Sequence, residues 1–455
     1  MNHLFETLSK QPASDIALVS HMRTLTYGEL NKRIALYANS LSDVSSLAIQ
    51  LDNGIEWVLW DLAALISDTP CVPVPDFFHT HQISHIIDSA GITHIVDANG
   101  IRELSDTNSH KPSFPSLHKK TAKITFTSGT TGTPKGVCLS REGIEELVFS
   151  LQGTLDNRFA ERHAVILPLA ILLGNLAGVY TTLVAGGTVF VPPLTEIGLS
   201  NPFSPDLGKL TNYLVEQKIT STIAVPELLR GLMAVNTSFP HMKFIAVGGA
   251  KMAPELIHNA RLRGLPAYEG YGLSEAASVV ALNTPEHDKV GSVGKVLDHV
   301  DLSIVDGEVH IKSHAFLGYL GSPAATTFAT GDLGFIDEAG FLYINGRKKN
   351  VIITSHGRNI SPEWVESLLL AQPGVGQAMV YGDGEACISA LIVPAHPAAK
   401  IQQAVLSANL SLPEYAQIKN YQLTTPFSAK EGTLTANGRP RRDQIIKQHT
   451  PAEEA

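Results

Sequence analysis

One stretch carries the clearest chemistry in the chain. Ile124-Thr125-Phe126-Thr127-Ser128-Gly129-Thr130-Thr131-Gly132-Thr133-Pro134-Lys135-Gly136 ends an apolar strand in hydroxyl residues interleaved with glycines, then a lysine. Backbone N–H groups freed by Gly129, Gly132 and Gly136, the hydroxyls of Thr127, Ser128, Thr130 and Thr131, and the Lys135 ammonium together make a cradle for phosphate. It is not the GxxxxGK[ST] loop, because Pro134 stands where the second glycine belongs. The bland alternative is a polar turn, and the unbroken run of hydroxyls and glycines from Thr127 to Thr133 weighs against it. Other candidates are weaker. His81 and His85 have the i, i+4 spacing of a helical zinc pair, yet no third ligand is evident, so a surface or capping role is expected. Cys138 reads as a buried strand cysteine, with no base in view to activate it.

The loop resembles the signature segment of the adenylate-forming superfamily, which comprises acyl-CoA synthetases, adenylation domains and luciferases. Further segments extend the resemblance in order from Tyr27 to Arg442. Tyr268-Glu269-Gly270-Tyr271-Gly272-Leu273-Ser274-Glu275 is similar to the family's Tyr-Gly-x-Thr-Glu motif, with Ser274 in place of threonine. The resemblance implies that Tyr271 packs on adenine with Gly272 beside it, Ser274 touches the α-phosphate and Glu275 holds Mg2+. Gly248-Gly249-Ala250 resembles the turn lining the adenine and acyl pocket, and Thr330-Gly331-Asp332 the segment whose aspartate grips the ribose. Gly346-Arg347-Lys348-Lys349 resembles the domain hinge, with Arg347 at ribose and phosphate and Lys349 as pivot. Gly357, in Ser355-His356-Gly357-Arg358, matches a loop that borders the pantetheine tunnel. These roles suit AMP transfer to a carboxylate, which needs two anions held together and charge stabilised on the phosphates.

Two departures shape the expectation. The closing motif reads Leu434-Thr435-Ala436-Asn437-Gly438-Arg439-Pro440-Arg441-Arg442, so Arg439 occupies the position of the family's essential lysine. Arginine keeps the charge as a planar fork rather than a compact ammonium. The acyl-site segment is Leu167-Pro168-Leu169-Ala170-Ile171-Leu172-Leu173-Gly174, with Ala170 and Ile171 replacing an aromatic residue and a histidine. No aspartate lies between Arg162 and Glu196 to pair with a substrate ammonium, so an apolar acid is expected rather than an amino acid. The resemblance therefore implies an ATP- and Mg2+-dependent enzyme that makes acyl-AMP from a small-molecule, fatty carboxylic acid and passes the acyl group to CoA. The phosphopantetheine of an acyl or peptidyl carrier protein is the alternative acceptor, closure of a hydroxy acid on itself an alternative end step, and a nucleotide-binding pseudoenzyme the rival class. Lys119-Lys120 and Arg441-Arg442 are read as solvated charges, the latter with an alternative contact to a CoA phosphate.

Positioning these groups requires a scaffold. In the first third, helices opening at Thr26 and spanning about 57–66 and 83–89 alternate with strands at 47–51, 71–74 and 93–97, which predicts a parallel, helix-covered sheet. From Asp298 the texture becomes antiparallel, with hairpins turning at Asp306-Gly307 and Ala339-Gly340. After Gly346 a smaller β–α alternation resumes, with a helix from Pro362 and strands at 378–381 and 387–392. The expected fold is α/β: a large N-terminal ATP- and acyl-binding domain over 1–345, of mostly parallel sheets plus a small β-barrel-like unit. A small mobile α+β lobe over 346–455 follows, hinged near Lys349.

Composition narrows the rest. The chain has 455 residues, 44 % hydrophobic and 17 % charged, which suits a globular protein and excludes an intrinsically disordered one. Its 34 Lys and Arg against 43 Asp and Glu leave −9, which argues against a nucleic-acid partner. Within that acidic total, Lys135, Arg347, Lys348, Lys349 and Arg439 are expected to converge on one anionic substrate. Ala164–Leu194 lacks charge, but Pro168, Gly174, Gly178, Gly186-Gly187 and Pro192-Pro193 break it into a strand (164–167), a helix (about 175–184) and a strand (188–191) rather than a membrane span. Three scattered cysteines and a start without an export signal point to a reducing, cytoplasmic setting.

Overall fold

Short apolar strands alternating with amphipathic helices build two large sheets in the computed structural model, which describes residues 3–21, 23–75, 78, 80–104, 117–127, 134–199, 205–428, 431–434 and 439–449. The seven-stranded sheet runs Phe316–Tyr319, Lys135–Ser140, Thr121–Thr127, Cys71–Pro73, Leu47–Ile49, His94–Asp97, Gly100–Glu103. Its middle strands are parallel, and antiparallel ones flank them. The nine-stranded sheet is parallel from Ala267–Leu273 through Phe244–Val247, Ser221–Ala224, Arg162–Ala164 and Thr188–Phe190 to Ile16–Ser20, with antiparallel strands outside. One core lies between the sheets, where helices Tyr27–Asn39, Ile55–Ile66 and Arg141–Thr154 bury residues such as Leu30, Trp57 and Leu147. The outer faces carry their own cores, around Leu210, Leu229 and Ile257 on one sheet and Val72, Ile86 and Ile124 on the other.

The helix expected at Thr26 begins there with a capping box. Thr26 accepts from the Glu29 amide, and Glu29 accepts from the Thr26 amide. The antiparallel unit is a four-stranded sheet of Val300–Val305, Glu308–Ser313, Thr327–Ile336 and Leu342–Arg347. Its first hairpin turns on Asp306 (φ 50°) and Gly307 (φ 78°), the paired left-handed residues of a type I′ turn. Helix Pro362–Leu370 then packs on a three-stranded sheet of Val375–Tyr381, Ile388–Pro394 and Ile418–Leu423. The strand at Ile418–Leu423 is absent from the sequence reading because five of its six residues are exposed, so no apolar run marks it.

The predicted helix of 175–184 departs from expectation. It is a π-helix over Leu173–Tyr180, continued by an α-turn at Thr181–Val184. The reason lies in a buried charge. Asp61, on helix Ile55–Ile66, pairs with the Nζ of Lys123, which is 1 % exposed in the middle of strand Thr121–Thr127. The second oxygen of Asp61 accepts from Tyr180 Oη at 2.7 Å and Asn175 Nδ2 at 3.0 Å. Residues five apart point about 140° from each other in an α-helix. The i→i+5 turn of a π-helix stacks them instead, so both reach one carboxylate.

Removing one member of this buried pair strands the other. Lys123→Met should therefore destabilise the protein by about 3–5 kcal/mol, while the double variant Asp61→Leu/Lys123→Met should recover much of that loss. Urea unfolding of the three proteins checks this.

Candidate functional site

Strands Thr121–Thr127 and Lys135–Ser140 are antiparallel neighbours, with Thr127 opposite Lys135 at the end where the chain enters and leaves the hydroxyl–glycine segment. Ser128, Gly129, Thr130, Thr131 and Gly132 lie outside the described residues. His85 closes the end of this hairpin, with Nε2 3.4 Å from the Pro134 carbonyl and its ring edge-on to Phe126. That contact accounts for one histidine of the zinc-spaced pair. Cys138 is buried in the second strand, where burial pushes its thiol up to about 11.

The nine-stranded sheet supplies the next group. Strand Ala267–Leu273 ends in a short turn, Ser274–Ala276, and Ala277 at φ 61° sends the chain back along Ser278–Leu282. Gly272 is required here, since a Cβ would sit 1.7 Å from the Ser278 carbonyl oxygen. The turn presents Glu275, whose Oε1 accepts from the Tyr319 hydroxyl at 2.7 Å. Lys135 Nζ stands 5.8 Å over the same tyrosine ring, so Tyr319 joins the hairpin to the acid. Burial and the Glu275 charge raise the Tyr319 pKa, which keeps the hydroxyl a donor.

The antiparallel sheet brings in Asp332. It lies directly across from Arg347, which bonds through Nε to Oδ1 at 2.7 Å, while the Tyr271 hydroxyl donates to Oδ2 at 2.7 Å. Asp332 is only 4 % exposed. Burial pushes its carboxyl up, and Arg347 and Tyr271 pull it back toward the charged form. Arg439 arrives from the C-terminal lobe and donates through Nη2 to the Gly249 carbonyl at 3.3 Å. Gly249, at φ 95°, turns that carbonyl toward the lobe. Lys349 stands close to both arginines, and its pKa is lowered by burial and then by those two like charges.

These groups share one cavity of about 1450 Å³. Thr127, Lys135, Gly248, Gly249, Ala250, Tyr271, Gly272, Ser274, Glu275, Asp332, Arg347 and Arg439 all line it. Gly357 does not: it sits in a separate hairpin between Ile352–Ile353 and Asn359–Ile360, its amide donating to Thr354 O. Of the two segments expected to serve this cavity from the lobe, Arg439 is the one that lines it. Two further expectations need correction. Arg442 is not a solvated charge; it is locked inside the lobe by two bonds to buried Glu366, at 2.7 and 2.6 Å, and one to Val380 O. Lys348 turns away from the cavity to Glu308 Oε2 at 2.8 Å, and Glu308 Oε1 accepts from the Gly331 amide, bracing the Asp332 strand.

Sequence reasoning missed Tyr319, Glu308, buried Glu269 and half-buried Lys251, whose ammonium donates to the carbonyl of Ile344 in the Arg347 strand. Burial pushes Glu269 up to about 8 and Lys251 down, each partly offset by the other's charge. No local signal marks these residues, because their partners are distant in sequence. His163, on strand Arg162–Ala164, also lines the cavity. It is 6 % exposed, and burial pushes its pKa down to about 4.

Magnesium binds through one or two carboxylates together with substrate phosphates. Glu275, fixed through one oxygen at the cavity wall, fits that donor set. Among the described residues, no group of three His, Cys, Asp or Glu side chains forms a metal cage of its own.

A cavity that sets Thr127 and Lys135, two carboxylates and a cluster of cations around one space, under a lobe that supplies one of those cations, suits a nucleotide-dependent enzyme that activates a second anion. The chain belongs to the adenylate-forming superfamily: the AMP-binding enzyme model matches residues 4–315 and the AMP-binding enzyme C-terminal domain model residues 349–452. It is 30 % identical over 407 residues to a long-chain-fatty-acid–CoA ligase of Mycobacterium bovis, covering 72 % of this chain and 67 % of that protein. It is 28 % identical to a 2-succinylbenzoate–CoA ligase of Bacillus subtilis, covering 81 % and 82 %. The solved o-succinylbenzoate CoA synthetase of Bacillus subtilis, in complex with its acyl-adenylate OSB-AMP, superposes with a TM-score of 0.80 at 23 % identity over 99 % of this chain and 98 % of that one. The class is that of AMP-forming acid–CoA ligases, with ATP, Mg2+ and CoA as its cofactors. Among the described residues no helix is long and apolar enough to cross a membrane.

Two outcomes follow from this geometry. Tyr319→Phe removes the bond that fixes Glu275 without changing the core, and should raise the magnesium concentration needed for half-maximal activity by about tenfold, the worth of one charge-assisted hydrogen bond. Magnesium titration of the two enzymes reads this directly. A histidine whose folded pKa lies below its unfolded value of 6.5 binds fewer protons when folded, so stability is lost as pH falls from 6.5 toward 4. Between pH 7 and pH 5 His163 should contribute about 2 kcal/mol to that loss. Urea midpoints at both pH values should show a smaller decline in His163→Leu.

Proposed function

We propose that this enzyme activates an apolar, fatty carboxylic acid as acyl-AMP and transfers the acyl group to CoA. One observation carries the reading: the cavity that holds Glu275, Asp332, Arg347 and Arg439 continues into a wall of Ala170, Ile171, Leu173, Ala177, Ile223 and Val225, with no charged side chain among them. The charged end suits ATP, and the aliphatic end suits an acyl chain. An acid whose chain carried an ammonium would find no counter-ion among those six residues.

In this reading the carboxylate and the α-phosphate meet beside Gly249 and Tyr271. Asp332, held by Arg347 and Tyr271, takes the ribose hydroxyls, with Tyr271 against the base and Gly248, Gly249 and Ala250 lining the adenine and acyl pockets. Thr127, Ser128, Gly129, Thr130, Thr131 and Gly132 cradle the β- and γ-phosphates with Lys135, and Ser274 reaches the α-phosphate. Bound at Glu275, Mg2+ would neutralise phosphate charge. Arg347, Lys349 and Arg439 repel one another when the cavity holds no anion. Two substrates of negative charge relieve that repulsion, and Arg439 can bridge carboxylate and phosphate as the bond forms. After pyrophosphate leaves, the lobe over 346–455 turns about Lys349 against the body over 1–345 and exchanges the Arg439 segment for the Gly357 loop, opening a path for the thiol. The CoA ligases among its relatives support CoA as the acceptor, and free cysteines at 71, 138 and 387 support a reducing, cytoplasmic setting.

Hydroxylamine trapping of acyl-AMP across a panel of carboxylic acids, with and without CoA, tests this. Fatty acids should give hydroxamate and amino acids should not; activity on amino acids alone would overturn the reading. Arg439→Ala should lower trapped adenylate by about 10²–10³-fold, as loss of a group that stabilises transition-state charge does.

A further inference from the structure

The acyl arm of the cavity has a floor and a roof. Its floor is the nine-stranded sheet at strand Ser221–Ala224, where Ser221, Thr222 and Ile223 line the cavity, with Val225 directly after the strand. Its roof is the stripe Leu173, Ala177, Thr181 and Ala185 on the π-helix and the turn beyond it. Val225 marks the adenylate end, since a Cβ on Gly249 would lie 3.7 Å from its Cγ1. Ser221 lies four residues back along the strand, about 13 Å away. At that depth, in register with Ser221 on the adjacent strand, stands His163.

His163 is out of place in such a wall. An aliphatic residue would be cheaper there, because a buried polar atom costs free energy unless it is hydrogen-bonded. One ring nitrogen is satisfied: Nδ1 lies 2.9 Å from Ser221 Oγ. Nε2 has no hydrogen-bond partner among the described residues. It packs against Gly178, where an added Cβ would come within 3.0 Å of it and 3.7 Å of Ile223 Cδ1. A side chain at Gly178 would press on the ring, so the glycine leaves the imidazole its place at the cavity wall, beside a π-turn whose geometry is fixed from its other side by Asp61. The imidazole stays neutral at physiological pH, its pKa being near 4. In a neutral ring one nitrogen donates and the other accepts, so Nε2 offers a donor in one tautomer and an acceptor in the other, and the Ser221 hydroxyl can complement either at Nδ1.

We propose that His163 is a specificity-determining residue that hydrogen-bonds an uncharged oxygen function, hydroxyl or oxo, carried partway along the acyl chain. The preferred substrate is then an oxygenated fatty acid rather than a plain one. This rests on the acid-activation reading above and narrows its substrate. A site built to bond a substrate oxygen discriminates strongly against the analogue lacking it, because the buried polar group is left unpaired.

The test is ATP–pyrophosphate exchange with saturated fatty acids of 8 to 16 carbons and their hydroxy and oxo counterparts substituted at successive chain positions. Wild-type enzyme should favour one oxygenated position by at least about tenfold in kcat/KM over the plain acid of the same length. In His163→Leu that preference should vanish while the plain acid is used at least as well. Ser221→Ala, which keeps the imidazole but frees Nδ1, should weaken the preference and serves if His163→Leu does not fold. If plain acids match every oxygenated partner in the wild type, a water molecule satisfies Nε2 and the proposal is overturned, while acid activation stands. Absence of exchange with every acid would overturn acid activation itself.

Discussion

A charged pair sealed in the core, Asp61 with Lys123, is the constraint from which much of this molecule follows. Neither charge can be left alone at that depth, so every element that meets Asp61 is held in one relation to the others. Helix Ile55–Ile66 contributes the acid, and strand Thr121–Thr127 contributes the base and runs directly into the hydroxyl–glycine segment. The helix beyond Leu173 takes a π-turn so that Asn175 and Tyr180 both reach the same carboxylate. A single interaction thereby sets the phosphate end of the cavity and the roof of its acyl arm. An apolar pair of similar volume could hold the sheets together, but it would not dictate which residues of the helix face inward.

The cavity shows the opposite arrangement, with charges of one sign held close. Arg347 is fixed on Asp332, Arg439 reaches in from the lobe, and Lys349 lies near both. Such crowding is unfavourable without an anion and favourable with one. Supporting contacts keep each group from collapsing onto a neighbour. Glu308 takes Lys348, Glu366 takes Arg442, and Tyr319 holds Glu275. Lys348, which does not line the cavity, has its carboxylate in Glu308.

Much of the site was legible in the sequence because its parts are contiguous motifs. Thr127 to Lys135, Gly270 to Glu275 and Gly331-Asp332 each combine a turn with a reactive group over a few residues, and backbone geometry needs that proximity. Tyr319, Glu308, Lys251 and His163 were not legible, since each works through a partner tens or hundreds of residues away. Arg442 was misjudged for the same reason. A pair of adjacent arginines near the end of a chain looks solvated, and only the packing of helix Pro362–Leu370 reveals that Glu366 waits for one of them.

The sequence by itself determined the class of chemistry and the layered α/β architecture. Hydrophobic periodicity dictates strands and helices locally, and a phosphate cradle is a local turn. Tertiary structure alone decided which charges meet. It bent a predicted α-helix into a π-helix, sent Lys348 away from the cavity, tied Arg442 to Glu366, placed Arg439 rather than Gly357 at its mouth, and set a neutral histidine in an apolar wall. Burial and long-range pairing settle those outcomes, because the energy of a charge or a polar atom depends on what surrounds it in space, and neighbours in sequence do not supply that.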